Sequence, residues 1–133
     1  MKKNKIYKIL VVDDDHTLAD LVQIHFDEGC FHAKACYSGK DALLEIEKER
    51  PDLIILDVVM PRMDGWEVLQ TIKSNLTYAS IPIIMCTAKD SVGDVEKSFY
   101  YGAQAYIIKP IEFKKLRKKV ASILDIEELL NNG

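Results

Sequence analysis

Three short, almost uninterrupted aliphatic runs constrain the fold of this chain more than any other feature. They are YKILVV (7–12), LIIL (53–56) and IPIIMC (81–86). Each has the length of a β-strand, and none shows the apolar–polar alternation of a strand with one wet face. Such strands are typical of parallel sheets covered by helices on both faces. Two weaker runs, FHAKACY (31–37) and AYII (105–108), complete a set of five, and the mixed character of the first favours an edge position.

Amphipathic segments separate these runs. The first is indicated by apolar residues at helical spacing, namely Leu18, Leu21, Val22 and His25. Gly29 is expected to end that helix, and SGKD (38–41) resembles the capping box of a second helix. Further helices are expected around 66–72, 92–101 and 111–124. The alternation predicts an α/β fold, a doubly wound (βα)5 open parallel five-stranded sheet in three α/β/α layers, with its ligand site at the carboxyl ends of the strands.

Length and composition indicate one globular domain. The chain has 133 residues, of which 48% are hydrophobic and 29% charged, and its net charge is −3. This balance excludes a disordered or fibrous protein, and nothing in it attracts nucleic acid or anionic lipid. We expect a single domain over 1–133, with its core at about 6–124 and a helical extension or tail at 125–133.

The cysteines and the apolar runs bear on location. Three cysteines without a CxxC pair favour reduced thiols over a disulfide framework or a zinc site. The basic start, MKKNK, is not followed by the apolar segment of a signal peptide. No apolar run is long enough to cross a bilayer. The expected location is the cytoplasm.

Polar side chains follow four of the five predicted strands. They are Asp13 and Asp14 after the first strand, Asp57 after the third, Thr87 after the fourth and Lys109 after the fifth. Clustered carboxylates require protonation or a cation, and hard oxygen ligands with room for water suit Mg²⁺, or Mn²⁺ in its place. An ammonium and a hydroxyl beside them are suitable partners for phosphoryl oxygens. This combination predicts attack of a carboxylate on phosphorus to give an acyl phosphate.

Four motifs occur in order along the chain: LVVDD (10–14), LIILDVVMPRMDG (53–65), CTA (86–88) and YIIKP (106–110). With these spacings the sequence resembles a response-regulator receiver domain of the CheY-like type, and the resemblance covers essentially the whole chain. It implies a flavodoxin-like three-layer fold and a role in a two-component phosphorelay.

The resemblance also implies roles for the carboxylates. Asp57 would be the phosphoacceptor and would take its phosphoryl group from a phosphohistidine of a sensor histidine kinase or histidine phosphotransfer protein. Asp14 and Asp57 would bind Mg²⁺ directly, together with the backbone carbonyl of Val59, and Asp13 would act mostly through a metal-bound water. The protein would promote its own phosphorylation and dephosphorylation without being an enzyme for an external substrate.

The same resemblance implies a conformational switch. Lys109 would pair with the phosphoryl group, Thr87 would turn inward to hydrogen-bond it, and the ring of Tyr106 would follow Thr87. The Lys109-Pro110 bond is often cis in the family. A downstream protein partner would bind the surface made by the fourth helix, the fifth strand and the fifth helix, and homodimerisation could follow phosphorylation through the same face.

Other readings stay open. The chain could be a receiver fragment of a longer response regulator or hybrid kinase. A small Mg²⁺-dependent aspartyl-phosphate phosphatase shares the nucleophile but would want a second acid where Val59 stands. A flavodoxin-like FMN carrier shares the fold class, but the acidic DDDH segment (13–16) would repel its phosphate.

Three smaller expectations come from single positions. Asp15 stands just before the first helix and should cap its N-terminus. Val59 and Lys89 flank the path of water to the acyl phosphate, and the apolar Val59 predicts slow hydrolysis. The basic cluster KKLRKK (114–119) is expected to be a solvated helix face with Leu116 turned inward, with a site for an acidic partner as the alternative. It lacks the interleaved aromatic residues of a nucleic-acid site.

Overall fold

A computed structural model describes residues 5–88 and 92–128. One five-stranded parallel sheet has the order β2-β1-β3-β4-β5, so the predicted doubly wound fold is confirmed and β2 lies at an edge as expected. The elements are β1 (Tyr7–Val12), α1 (His16–Phe26), β2 (Phe31–Cys36), α2 (Gly39–Lys48), β3 (Leu53–Leu56), α3 (Gly65–Ser74), β4 (Ile83–Thr87), α4 (Val92–Tyr100), β5 (Ala105–Ile108) and α5 (Phe113–Leu124).

The core is divided by the sheet into two clusters. Successive side chains of a strand point to opposite faces, so Ile9 and Val11 of β1 pack with α1 and α5, whereas Leu10 and Val12 pack with α2 and α3. All six residues of β1 are buried. This explains the uninterrupted aliphatic runs, because the central strands have no wet face.

Side-chain caps start three of the helices. The carboxylate of Asp15 accepts a hydrogen bond from the Leu18 N–H (3.1 Å), which confirms its predicted role at the start of α1. Ser38 caps α2 in the same way. Asp64 caps α3 by accepting from the Glu67 N–H at 3.0 Å, a role that the sequence pattern had not assigned.

The inward face of α1 differs from the prediction. Its buried residues are Ala19, Val22 and Phe26. Leu21 is 44% exposed, and His25 is exposed and stacks on the ring of Phe113 in α5, with ring centroids 3.9 Å apart. The helix ends at Phe26, ahead of Gly29, which has a φ of 61° in the turn to β2.

Arg117 corrects the expectation of a wholly solvated KKLRKK face. Its guanidinium lies 5.3 Å from the ring centroid of Phe26 and 5.6 Å from that of Phe31. It also donates a hydrogen bond to the backbone carbonyl of His25 at the end of α1. Leu116 is buried as predicted. One cation of the cluster therefore packs α5 against α1 and β2.

Helix α5 ends at a residue with a left-handed backbone. Asp125 has a left-handed conformation (φ 59°) that ends α5, and Ile126 then packs into the core. The expected extension of 125–133 is described only as far as residue 128, and residues 129–133 lie outside the described part.

All three cysteines are free, which agrees with the predicted reduced thiols.

A buried lysine anchors the end of the sheet away from the predicted site. The Lys8 ammonium lies 2.5 Å from a Glu45 carboxylate oxygen and 2.8 Å from one of Glu49. The side chains of Lys8 and Glu45 are only 8% and 9% exposed, and Lys34 approaches the other Glu45 oxygen at 3.3 Å. The Lys8 hydrogen bond is the main cause of the lowered pKa of Glu45.

Replacing Lys8 with alanine should destabilise the fold. The substitution leaves a buried carboxylate with only one partly exposed cation, so the free energy of unfolding should fall by roughly 2–3 kcal/mol. Urea unfolding followed by circular dichroism measures the loss. Lys5→Ala is the matched control, since Lys5 is half exposed, 3.5 Å from Asp52 and 4.7 Å from the Tyr7 ring centroid, and should cost about 1 kcal/mol or less. Equal losses in the two variants would contradict the prediction.

Candidate functional site

The acidic residues after β1 and β3 meet because these two strands are neighbours. The Asp57 N–H donates to the carbonyl of Val12 (2.9 Å), and the Asp13 N–H donates to that of Cys36 (3.1 Å). One carboxylate oxygen from each of Asp13, Asp14 and Asp57 lies within 4.8 Å of the others. The cluster therefore stands at the carboxyl edge of the sheet, where the strand order reverses.

Lys109 reaches this cluster from the end of β5. Its ammonium lies 2.7 Å from an Asp13 carboxylate oxygen and 3.6 Å from one of Asp57. The other Asp13 oxygen accepts from the Asp15 N–H (2.9 Å). The Lys109-Pro110 bond is cis. The closer contact of Lys109 with Asp13 was not predicted from the sequence.

Burial separates the three acids. Asp13 and Asp57 are each 5% exposed, whereas Asp14 is exposed to solvent. Burial is the main cause that raises the pKa of Asp57 from 3.8 to about 6, and the nearby Asp13 charge adds to it. Lys109 and hydrogen bonds with the Thr87 side chain and the Val59 backbone act in the opposite direction. The ionised Asp57 is thus under-compensated by the protein alone.

The donor set suits a small hard cation. Its side-chain donors are the carboxylate oxygens of Asp13, Asp14 and Asp57, and oxygen ligands of this kind favour Mg²⁺ or Mn²⁺ over softer metals. The exposed Asp14 leaves one side of the cluster open to the waters that Mg²⁺ retains. A dication would also supply the positive charge that Asp57 lacks. Coordination by Asp13, Asp14, Asp57 and the Val59 carbonyl stays a prediction.

Gly65 fixes the loop behind Asp57. Its N–H donates to the Val58 carbonyl (2.8 Å), and a Cβ at this position would lie only 2.1 Å from the backbone oxygen of Asp57. Only glycine allows the backbone of α3 to approach this closely. The MDG segment (63–65) marked the position in the sequence, but the reason for the glycine is visible only in the fold.

Thr87 and Tyr106 lie on one face of neighbouring strands. Thr87 is fully buried at the end of β4, and Met85, two residues earlier, pairs with Tyr106 in β5. Tyr106 is half-buried against the core cluster on the α3 side of the sheet. Their coupled movement stays a prediction. Lys89 lies outside the described residues.

The raised pKa of Asp57 predicts how pH affects stability in EDTA. The folded protein holds this proton more tightly than the unfolded chain, so the contribution is favourable at about pH 4 and is lost as the pH rises through about 6. The loss is on the order of 2 kcal/mol. We expect Asp57→Asn to gain stability relative to wild type between about pH 4 and 7, measured by urea unfolding. Parallel pH profiles would contradict this.

Comparison with known proteins identifies relatives along most of the chain. Residues 9–121 match the family model of the response regulator receiver domain. The heme response regulator HssR of Staphylococcus aureus (strain bovine RF122 / ET3-1) is 36% identical over 115 residues, which cover 86% of this chain and 50% of that protein. The chain therefore spans about half the length of the curated relatives that it matches.

Solved structures show the same fold. A putative response regulator from Chloroflexus aurantiacus J-10-fl superposes with a TM-score of 0.85 at 31% identity, covering 91% of this chain and 99% of the other. Chemotaxis protein CheY4 of Vibrio cholerae gives a TM-score of 0.83 at 28% identity, with coverages of 88% and 98%. Within residues 5–88 and 92–128, no helix has the length and apolar character needed to span a membrane.

Proposed function

The chain belongs to the response regulator receiver domain family of two-component systems, and from this premise we propose that Asp57 accepts a phosphoryl group from a phosphohistidine. The donor would be a sensor histidine kinase or a histidine phosphotransfer protein. The supporting observation is the buried Asp57 carboxylate, 3.6 Å from the Lys109 ammonium and clustered with Asp13 and Asp14. Such donors obtain their phosphoryl group from ATP, which is a cytoplasmic substrate, so the proposed location is the cytoplasm.

The transfer exchanges one bond to phosphorus for another. An Asp57 oxygen attacks phosphorus, the bond between phosphorus and the imidazole nitrogen breaks, and its electron pair returns to the imidazole, which takes a proton from water. Lys109 and the Thr87 hydroxyl would stabilise the charge on the other phosphoryl oxygens. The acyl phosphate that forms is the signalling state.

A divalent cation would be held by Asp14, Asp57 and the Val59 carbonyl, with Asp13 acting through water. When bound, Mg²⁺ or Mn²⁺ neutralises charge between the carboxylates and the phosphoryl group. Asp13 is already engaged by Lys109 at 2.7 Å, which supports an indirect role for it. The exposed position of Asp14 supports a direct one.

The output would be a change of the α4-β5-α5 surface, driven by Thr87 and Tyr106. A downstream protein partner would bind there, and the same face could form a homodimer after phosphorylation. We assign residues 1–133 to one receiver domain that contacts neither nucleic acid nor membrane by itself. It acts as a switch and turns over no external substrate.

Intact-mass spectrometry tests the proposal. With acetyl phosphate and Mg²⁺, the protein should gain the mass of one phosphoryl group, and EDTA should prevent the gain. Hydroxylamine should remove it, because it cleaves acyl phosphates but leaves phosphoserine and phosphothreonine intact. A metal-independent or hydroxylamine-resistant product would overturn the assignment.

Hydrolysis of the acyl phosphate is predicted to be slow in wild type and faster in Val59→Asn. Val59 stands two residues after Asp57 and is 55% exposed, and its side chain cannot hydrogen-bond an attacking water. An amide there could hold that water with one hydrogen bond, worth roughly 0.5–1.5 kcal/mol or about 2- to 10-fold in rate. Phosphate release from purified phosphoprotein measures it, with Val59→Ala as the apolar control. Equal rates in Val59→Asn and Val59→Ala would refute this.

A further inference from the structure

Helix α4 is lightly held in the fold. Among its described side chains, Gly93 to Tyr100, only Ser98 is fully buried. Phe99 is 51% exposed and Tyr100 84% exposed. By contrast α3 buries Gly65, Val68, Leu69 and Ile72. A helix with so little buried apolar surface can be displaced at a low cost in free energy. Each single contact of the helix therefore contributes a larger share of the free energy that keeps it in place.

One such contact joins α4 to α3. The ammonium of Lys97 lies 4.6 Å from the centroid of the Trp66 ring, within the range of a cation–π interaction. The Trp66 ring is half-buried against the core cluster on that side of the sheet, which also contacts Tyr101 and Tyr106. Trp66 is therefore a fixed partner, whereas Lys97 stands on the less constrained helix.

The two ends of this contact are connected to different parts of the site. Trp66 follows Gly65, whose backbone is held against Val58 and the carbonyl of Asp57. Helix α4 instead begins at Val92, five residues after Thr87. A movement of Thr87 relative to Asp57 would therefore act on the α4 side of the contact and not on the Trp66 side, and the distance between Lys97 and Trp66 would change.

We propose that the Lys97–Trp66 contact is a latch that holds α4 in the arrangement described above and must open when Asp57 is phosphorylated. This rests on the proposed function, in which phosphorylation moves α4. Because the contact stabilises the unphosphorylated arrangement of α4, the change to the phosphorylated arrangement costs the interaction energy of that contact. Removing it should therefore favour every ligand that binds the phosphorylated-like arrangement.

Beryllofluoride with Mg²⁺, a mimic of the aspartyl phosphoryl group, is the probe. Its affinity would be measured by isothermal titration calorimetry for wild type, Lys97→Met, Lys97→Arg and the control Lys118→Met, which removes an exposed lysine from α5. We expect Lys97→Met to bind about 2- to 5-fold more tightly than wild type, the equivalent of an exposed cation–π contact. Lys97→Arg, which preserves the cation, and Lys118→Met should match wild type.

Fluorescence gives an independent readout, since Trp66 is the only tryptophan. Its emission should shift in Lys97→Met before any probe is added, and beryllofluoride should shift the wild-type emission in the same direction. Unchanged or weaker beryllofluoride binding by Lys97→Met, or equal effects of Lys97→Met and Lys118→Met, would overturn the latch alone. Failure of wild type to bind beryllofluoride would overturn the proposed function and the latch with it.

Discussion

Asp57→Asn is expected to abolish phosphorylation by acetyl phosphate completely. The amide is a poor nucleophile and carries no negative charge, so the step that forms the acyl phosphate has no attacking group. The change is nearly isosteric, and the amide oxygen can still accept the hydrogen bonds from Thr87 and from the Val59 backbone. Loss of reaction in this variant therefore reports the chemistry and not the fold.

Two measurements make the result decisive. Circular dichroism should show an intact fold, with metal-free stability at neutral pH at least equal to wild type, because the variant removes a buried charge beside Asp13. Asp64→Asn is the matched control: Asp64 lies in the same loop and caps α3, and asparagine preserves the cap. It should be phosphorylated like wild type. A full mass gain in Asp57→Asn would identify another residue as the acceptor.

Asp14→Asn is expected to weaken Mg²⁺ binding by roughly 100-fold. Asp14 is the exposed carboxylate of the cluster, and replacing a charged ligand by an amide removes on the order of 3 kcal/mol of attraction to a dication. Isothermal titration calorimetry with MgCl₂ would measure it. Because the proposed phosphorylation requires the metal, the rate with acetyl phosphate should fall at sub-saturating Mg²⁺ and recover in part at high Mg²⁺.

Asp15→Asn provides the neighbouring control. The Asp15 side chain bonds the Leu18 N–H at 3.1 Å as a helix cap, and asparagine caps about as well as aspartate. The Mg²⁺ affinity should stay within about twofold of wild type, because the charge that is lost is exposed and screened by salt. If Asp15→Asn weakened binding as much as Asp14→Asn, the division of the acidic segment into metal ligands and a cap would be wrong.

The sequence predicted the sheet and the convergence at its edge for one physical reason. Parallel strands that are buried on both faces have continuous aliphatic sequences. The residues that follow such strands lie at the same edge of the sheet, whatever the conformation of the loops. Asp13, Asp57 and Lys109 could thus be placed near one another from the sequence. Their pairing could not, because the 2.7 Å contact between Lys109 and Asp13 depends on side-chain positions set by the loops.

The errors arose where tertiary contacts outweigh periodicity. Apolar spacing on α1 selected Leu21 and His25, but the small Ala19 and the large Phe26 fit the space under the helix better. Lys8 stands within an aliphatic run and carried no prediction, and only the fold shows that its ammonium pairs with Glu45. Arg117 was predicted to be solvent-exposed, yet its guanidinium packs on the ring of Phe26. In each case the partner is remote in sequence.

The strand order has a consequence for how the molecule opens. Asp57, the proposed phosphoacceptor, follows β3, which is hydrogen-bonded on both sides by β1 and β4, whereas α4 rests on β5 at the border of the sheet. In hydrogen-exchange terms, we expect the backbone around Asp57 to belong to the last cooperative unit to unfold and α4 to one of the first. Under the proposed function, the domain would remodel the surface around α4 by sub-global fluctuation, while the geometry around Asp57 would stay protected.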